Sequence, residues 1–293
     1  MDNIERLSQY NKEHCWQHDI RLTNLETDIK KSGLNLEEIQ NLSVNDFNFM
    51  QVASAEDKAQ CKEFIEHHEW LGNLSQYTTH WFACYYKDIL AGVILFNVPN
   101  AFSKILGEDT PQLERLISRG ACISWSPKNL ASAFLMWCIK WMVENTQYRL
   151  FTAYSDPIAK ELGTIYQACN FYYMGRSSGT NKRYINPYTG KLVSDRYFRQ
   201  KTAYRKYAGE LGIEWNKDWS HKTGMSWDKM PDGIEEKLRA FSKHKQSSSQ
   251  LLEFPSKHKY AYVLGQNKKE TKELRKLFEQ RNKTYPYPKN RGK

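Results

Sequence analysis

The chain has 293 residues and is 40% hydrophobic, enough for the core of one large domain, and 43 Lys/Arg against 33 Asp/Glu leave a net charge of +10. That charge is lopsided: residues 1–170 hold 15 Lys/Arg and 21 Asp/Glu, whereas residues 171–293 hold 28 and 12, which points to a polyanionic partner for the second half. No apolar run reaches transmembrane length, the start MDNIERLSQYNKEH lacks a signal-peptide core, and six scattered cysteines form no Cys-x-x-Cys pair, so a cytoplasmic protein with reduced thiols is expected, without a membrane span, a disulfide frame or a cysteine zinc site.

Residues 1–46 are polar and helix-prone, with SGLNLEEIQNL as the clearest amphipathic piece, and read as a helical extension. A denser pattern starts near Phe47. FMQVAS reads as a strand and AEDKAQCKEFIEHHEWL as a helix with acidic residues in its first turn. HWFACYYKDILAGVILFNVP gives two β-rich runs joined by a hairpin turn, and LERLISRGACISW a further strand. SPKNLASAFLMWCIKWMVENT is apolar nearly all round, which predicts a buried helix. YRLFTAYS, PIAKELGTIYQACN and FYYMGRSS then read as strand, helix and strand. The order β-α-β-β-β-α-β-α-β predicts an α/β (α+β) fold, a mixed sheet covered by helices, over residues 47–205. Beyond it, tyrosines alternate with Lys and Arg, and residues 206–293 form a basic region expected to be partly disordered.

Asp156 before Pro157 has the form of a helix N-cap with proline at the first helical position, and Asn170 that of a left-handed helix end. An unbroken helix from Pro157 would put Asp156 and Tyr166 roughly 15 Å apart along its axis, too far to touch one atom. Gly163 is the residue able to interrupt it.

Two local patterns resemble the GNAT acyl-CoA-binding fold: Lys128-Asn129-Leu130-Ala131-Ser132-Ala133, similar to its Q/R-x-x-G-x-G/A loop, and Ile165-Tyr166-x-x-x-Asn170-Phe171, similar to its L-Y-x-x-x-G-F. Lys for Gln/Arg and Ala for Gly make the first match degenerate. A helix N-terminus there suits a pyrophosphate. The run AYSDP…GTIYQACNFYYMGRSS, with LERLISRGACISWSPKNLASAFL and HEWLG…THWFACYYKDILAGVILFNVP before it, resembles the bacteriophage Mom family of DNA-modification proteins, a divergent GNAT group. The resemblance implies acyl-CoA (acetyl-CoA or another), double-stranded DNA as partner, and modification of adenine N6 to carbamoylmethyladenine against host restriction.

It further implies that Arg119, Lys128, Asn129 and Ala131 bind the acyl-CoA, that Tyr166, Ser132 and Asp156 serve catalysis, and that His80 and Asp156 ligate iron. In this family a phenol can follow the histidine; here Trp81 stands there, and an indole N–H cannot ligate a metal. Arg176, Lys182, Arg183, Arg196, Arg199 and Lys201 are the expected phosphate contacts, with Tyr184, Tyr188 and Tyr197 interleaved as stacking platforms. An ordinary GNAT acetyltransferase acting on a protein or small amine, and a catalytically inactive GNAT-like DNA-binding protein, remain open on these residues.

Overall fold

In the computed structural model, residues 15–99, 104–176, 180–222 and 224–289 are described, so the first fourteen residues of the helical extension lie outside them. The chain divides into two units, one of residues 1–177 and 257–293, the other of residues 178–256.

In the first unit the helical extension forms α1 (Trp16–Ser32) and α2 (Leu36–Asn41). Asn35 opens α2 with a capping box, its side chain accepting from Glu38 N–H while Glu38 accepts from Asn35 N–H. Then come β1 (Phe47–Val52), α3 (Ala55–His68), β2 (Thr78–Tyr86), β3 (Ile89–Asn97), β4 (Glu114–Cys122), α4 (Leu130–Asn145), β5 (Leu150–Ser155), α5 (Thr164–Ala168) and β6 (Tyr172–Arg176), the expected element order. β2 and β3 form the expected hairpin, tightened at Lys87 (φ +49°).

One strand was not expected. β12 (His258–Val263) comes from the basic C-terminal region and lies between β5 and β6, antiparallel to both, giving the order β1-β2-β3-β4-β5-β12-β6. It is followed by α8 (Lys268–Arg281), whose Phe278 is buried against Tyr172 and the β12 residues Ala261 and Val263. The region after residue 205 is thus not a loose appendage: its last third completes the sheet. A strand reached only after an 80-residue excursion leaves no local sign of which edges it joins.

The sheet is antiparallel except where β4 and β5 run parallel, pairing Glu114–Ile117 with Leu150–Ala153. α4 packs on it through Phe134, Leu135, Cys138, Ile139, Met142 and Val143, with Phe134 stacked on Phe49 at 5.0 Å. Truncating such a buried phenylalanine costs about 3–5 kcal/mol.

The second unit holds the three-stranded sheet β11-β7-β8 of β7 (Thr180–Ile185), β8 (Leu192–Val193) and β11 (Leu251–Pro255), the short pair β9 (Ser220–His221) and β10 (Gly224–Met225), and the helices α6 (Lys201–Glu210) and α7 (Ile234–Ser248). Its core gathers Ala203, Tyr204, Tyr207, Ala208 and Leu238, with Trp215, Trp227 and Phe241 packed around them. Among the described residues no helix is long and apolar enough to cross a membrane, and all six cysteines are free thiols.

Candidate active-site crevice

The parallel pairing of β4 and β5 stops at Ile117 and Ala153. Beyond it β4 pairs with β3 (Arg119 with Leu95, Cys122 with Gly92), while β5 pairs with β12 (Tyr154 with Lys259, Ser155 with His258). The two strands part company at their carboxyl ends, where open sheets present a crevice for ligands. A cleft of about 460 Å³ occupies that place. Its walls are the β4 segment from Ile117 to Cys122, the end of β5 with Asp156, the segment from Glu161 to Tyr166, the loop residues Glu69, Trp70 and Leu71, and Arg21, Ala131 and Lys257. The size falls in the range of small-molecule sites.

The segment from Asp156 to Tyr166 is not one helix. Asp156 caps a single 3-10 turn, Pro157–Ala159, accepting from Ile158 N–H at 3.0 Å. The chain then turns at Lys160 (φ +56°) and Gly163 (φ +67°), and α5 begins at Thr164. A Cβ on Gly163 would lie 2.5 Å from Tyr260 Cε2 and 3.1 Å from Tyr166 Cδ2, so glycine is required by space as well as by backbone geometry. This break brings Asp156 and Tyr166 to the same crevice, where a straight helix would have held them apart. Asn170 ends the segment with φ +58°.

Asp156 is buried and fully engaged: besides the cap, its Oδ2 lies 3.1 Å from Lys257 Nζ. Tyr166 packs between Phe171 and Tyr260, both at 5.3 Å. Its hydroxyl makes no hydrogen bond among the described residues. Burial, reinforced by the charges of Glu161 and Glu69, pushes its phenol far above the usual tyrosine range, so it stays protonated and able to donate.

Glu161, which no sequence motif singled out, holds the floor together. Its carboxylate accepts from Trp70 Nε1–H (2.9 Å) and from Asp156 N–H (3.1 Å). Burial pushes its carboxyl above the ordinary range, with Glu69 and Asp156 adding to the shift against those two hydrogen bonds. Glu69 is shifted up in the same way by burial, against Arg119 and the N–H groups of Gly72 and Leu71. Two partly desolvated carboxyls beside a phenol form the chemical centre of the crevice.

Arg119 lines the crevice, but three of its donors are already in use. Nε and one terminal nitrogen reach Asn73 (2.8 and 2.9 Å), the other the carbonyl of Ser118 (2.6 Å), and Glu69 lies 3.9 Å away. Its first effect is to tie the loop after α3 to β4, and two of its five N–H groups remain for an anion. Ala131 also lines the crevice, whereas Lys128 and Asn129 are exposed at the start of α4 and Ser132 lies outside the lining. Asn129 is left-handed (φ +69°) and gives α4 no side-chain cap; Leu130 N–H donates to the Pro127 carbonyl at 3.3 Å and Ala133 N–H to the Asn129 carbonyl at 2.9 Å, which leaves the N–H groups of Ala131 and Ser132 for an anion, and the Ser132 hydroxyl donates to the Asn129 carbonyl at 3.0 Å. A helix start of this kind can receive an anionic group such as a phosphate.

The expected iron pair is not assembled. His80 sits on β2, paired with Phe96, three strands from β5, so about 14 Å of sheet separates it from that strand. Its ring meets Tyr148 at 5.6 Å, Arg115 stacks on the other partner of that contact at 3.7 Å from the Tyr148 centroid, and burial with Arg115 lowers its pKa. His80 lies outside the crevice lining that includes Asp156.

The expected phosphate contacts differ among themselves. Lys182 faces Glu253 across the β7–β11 register at 3.5 Å, Arg199 pairs with Asp195, and Lys201 donates to the carbonyls of His221 and Lys222. Arg176, Arg183 and Arg196 take part in no ion pair among the described residues. Tyr184 is a packing residue, its ring 5.3 Å from Phe198 and its hydroxyl bonded by Gln246; Tyr197 also packs on Phe198, while Tyr188 is more exposed and bonded to Glu210.

Solved structures with partial likeness include a Bacillus subtilis acetyltransferase in complex with CoA (8% identity, TM-score 0.34, 74% of this chain and 99% of that one). Others are a GNAT family acetyltransferase from Elizabethkingia anophelis with acetyl-CoA bound (10%, 0.32, 75% and 99%) and the ribosomal-protein-S5-alanine acetyltransferase from Vibrio fischeri (11%, 0.34, 45% and 82%). At these identities and TM-scores the likeness identifies no activity. No curated protein matches the sequence. The model of the Mom protein family matches residues 50–289, most of the chain including the whole crevice after α1, and the protein belongs to that family.

Proposed function

We propose that the protein is an acyl-CoA-dependent enzyme that modifies the exocyclic N6 of adenine in double-stranded DNA by acyl transfer, and so shields phage DNA from host restriction. The observation that carries this reading is the crevice at the β4–β5 divergence in a chain of the Mom family, with Tyr166, Glu161 and Glu69 converging on it. The donor would supply an activated thioester carbonyl: the bond from N6 to the acyl carbon forms as the C–S bond breaks, and CoA leaves as its thiolate. Adenine N6 is a weak nucleophile because its lone pair is delocalised into the ring, so the amine must lose a proton as it bonds. Glu161, made more basic than an exposed carboxylate by burial, accepts that proton. Tyr166 donates a hydrogen bond to the departing sulfur; with its pKa pushed so high, complete proton transfer to a thiolate is uphill, and its contribution is stabilisation of developing charge. Asp156 and Lys257 position the 3-10 turn that carries Glu161 to the floor. The unpaired Arg176, Arg183 and Arg196 contact DNA phosphates, offsetting the few kcal/mol needed to extrude the base.

Mass spectrometry of nucleosides from plasmid DNA co-expressed with the protein tests this. A modified deoxyadenosine is expected. Unmodified deoxyadenosine with soluble protein present, together with salt-dependent duplex binding, would instead favour a DNA-binding protein without this activity.

A further inference from the structure

A second cluster of reactive side chains lies outside the crevice lining, where α1 meets α3. Asp28 is 3% exposed. Its Oδ2 is fixed by Ser124, through the backbone N–H at 3.2 Å and the hydroxyl at 2.5 Å. Both carboxylate oxygens lie 3.2 Å from His68 Nε2, and Oδ1 lies 4.0 Å from His67 Nε2. Nδ1 of His68 is 3.1 Å from the Phe64 carbonyl. A carbonyl can only accept, so Nδ1 carries a proton, and Nε2 of the neutral ring turns its lone pair toward a carboxylate. Two lone-pair donors face to face are held together only by a cation between them, a proton or a metal ion.

The spacing discriminates. Ligand atoms at about 2.0–2.1 Å from a tetrahedral ion are about 3.3 Å from one another. His68 and Asp28 already stand at that separation. His67 Nε2 stands 4.0 Å from Asp28 Oδ1, within about 1 Å of that separation, and it is half-exposed at the end of α3. All three ligand atoms lie within 4.8 Å of one another, and among the described residues no other group of three or more His, Cys, Asp or Glu side chains does so. Fixing of the carboxylate by Ser124 and of the His68 ring by Phe64 are the outer contacts a metal site uses to orient its ligands.

We propose that Asp28, His67 and His68 form a binding site for a divalent transition-metal ion of the zinc class, with the fourth position open to water. Two imidazoles and one carboxylate suit such an ion and disfavour magnesium or calcium, which prefer all-oxygen sites. The ion joins α1 to the end of α3, directly before Glu69 and Trp70, so it braces one wall of the crevice. The proposal does not depend on the reaction assigned to that crevice.

The full-length protein, stripped with a chelator, is titrated with Co²⁺ and followed by visible absorption, and its zinc content is measured after Zn²⁺ loading and desalting. One equivalent of each metal is expected, with tetrahedral Co²⁺ bands and no thiolate charge-transfer band. His67→Ala should weaken Co²⁺ binding at least ~10-fold while leaving the metal-free unfolding midpoint unchanged, since its side chain is half-exposed; Asp28→Asn should do the same if it folds. No Co²⁺ spectrum, a thiolate band, or binding unaltered in His67→Ala would overturn the proposal and leave a proton as the cation between His68 and Asp28.

Discussion

Replacing Gly163 with alanine tests how the crevice is built. At φ +67° an L-residue costs about 1–2 kcal/mol in backbone strain. The added Cβ would sit 2.5 and 2.8 Å from two ring atoms of Tyr260, well inside contact distance. That ring cannot yield easily: it is fully buried in the core, and its hydroxyl is tied to the carbonyl of Leu162. Overpacking of this kind costs about 1–3 kcal/mol. Gly163→Ala should therefore destabilise the protein by about 2–5 kcal/mol. Because the same Cβ would press on Tyr166 at 3.1 Å, turnover should fall more than stability alone explains. Urea unfolding gives the first quantity and single-turnover nucleoside analysis, at a temperature where both proteins are folded, the second. Tyr260→Leu in the Gly163→Ala background should recover part of the loss by making room. If Gly163→Ala unfolds within about 0.5 kcal/mol of the parent, the claim that Gly163 holds the break against Tyr260 is refuted.

Tyr166→Phe should lower kcat by about 10-fold or more, the scale of a lost transition-state donor, with little change in KM for the acyl donor; steady-state kinetics with normal kcat would remove Tyr166 from the chemistry. The rate should rise with pH through the raised pKa of Glu161, because only the ionised carboxylate accepts a proton, and this limb should lie above the range of an exposed glutamate. A pH–rate profile of Glu161→Gln that keeps the limb would assign it elsewhere. Arg196→Ala should weaken duplex binding uniformly across sequences and reduce the slope of log K against log salt by ~1, read by fluorescence anisotropy, whereas Lys182→Ala, whose partner Glu253 already screens it, should change that slope less.

The element order was legible because each segment carries its own local composition. The β-rich, aromatic run HWFACYY and the all-round apolar surface of LASAFLMWCIKWMVEN specify strand and buried helix without outside help. The ends of the segment from Asp156 to Asn170 were legible too: Asp156, Pro157 and Asn170 take the conformations their chemistry favours. The crevice was less legible. Asp156, Tyr166, Arg119 and Ala131 all line it, yet Glu161 and Trp70 meet only across 91 residues of sequence, and no motif marks that contact. β12 is six residues of ordinary strand in a Lys-rich region, and its place between β5 and β6 follows from long-range pairing alone. His80 was paired with Asp156 through the family resemblance, but register on the sheet keeps them apart. The histidines that do meet a carboxylate, His67 and His68, do so with Asp28 of a helix that precedes the region matched by the family model.

The most direct measurement of the central claim is transfer of label from an isotopically labelled acyl-CoA to duplex DNA by the purified protein, followed by digestion to nucleosides. The account predicts label on deoxyadenosine alone, abolished or strongly reduced in Tyr166→Phe and Glu161→Gln while both still bind duplex. Label on another nucleoside, label on added protein or small amines with none on DNA, or equal transfer by both variants would contradict it.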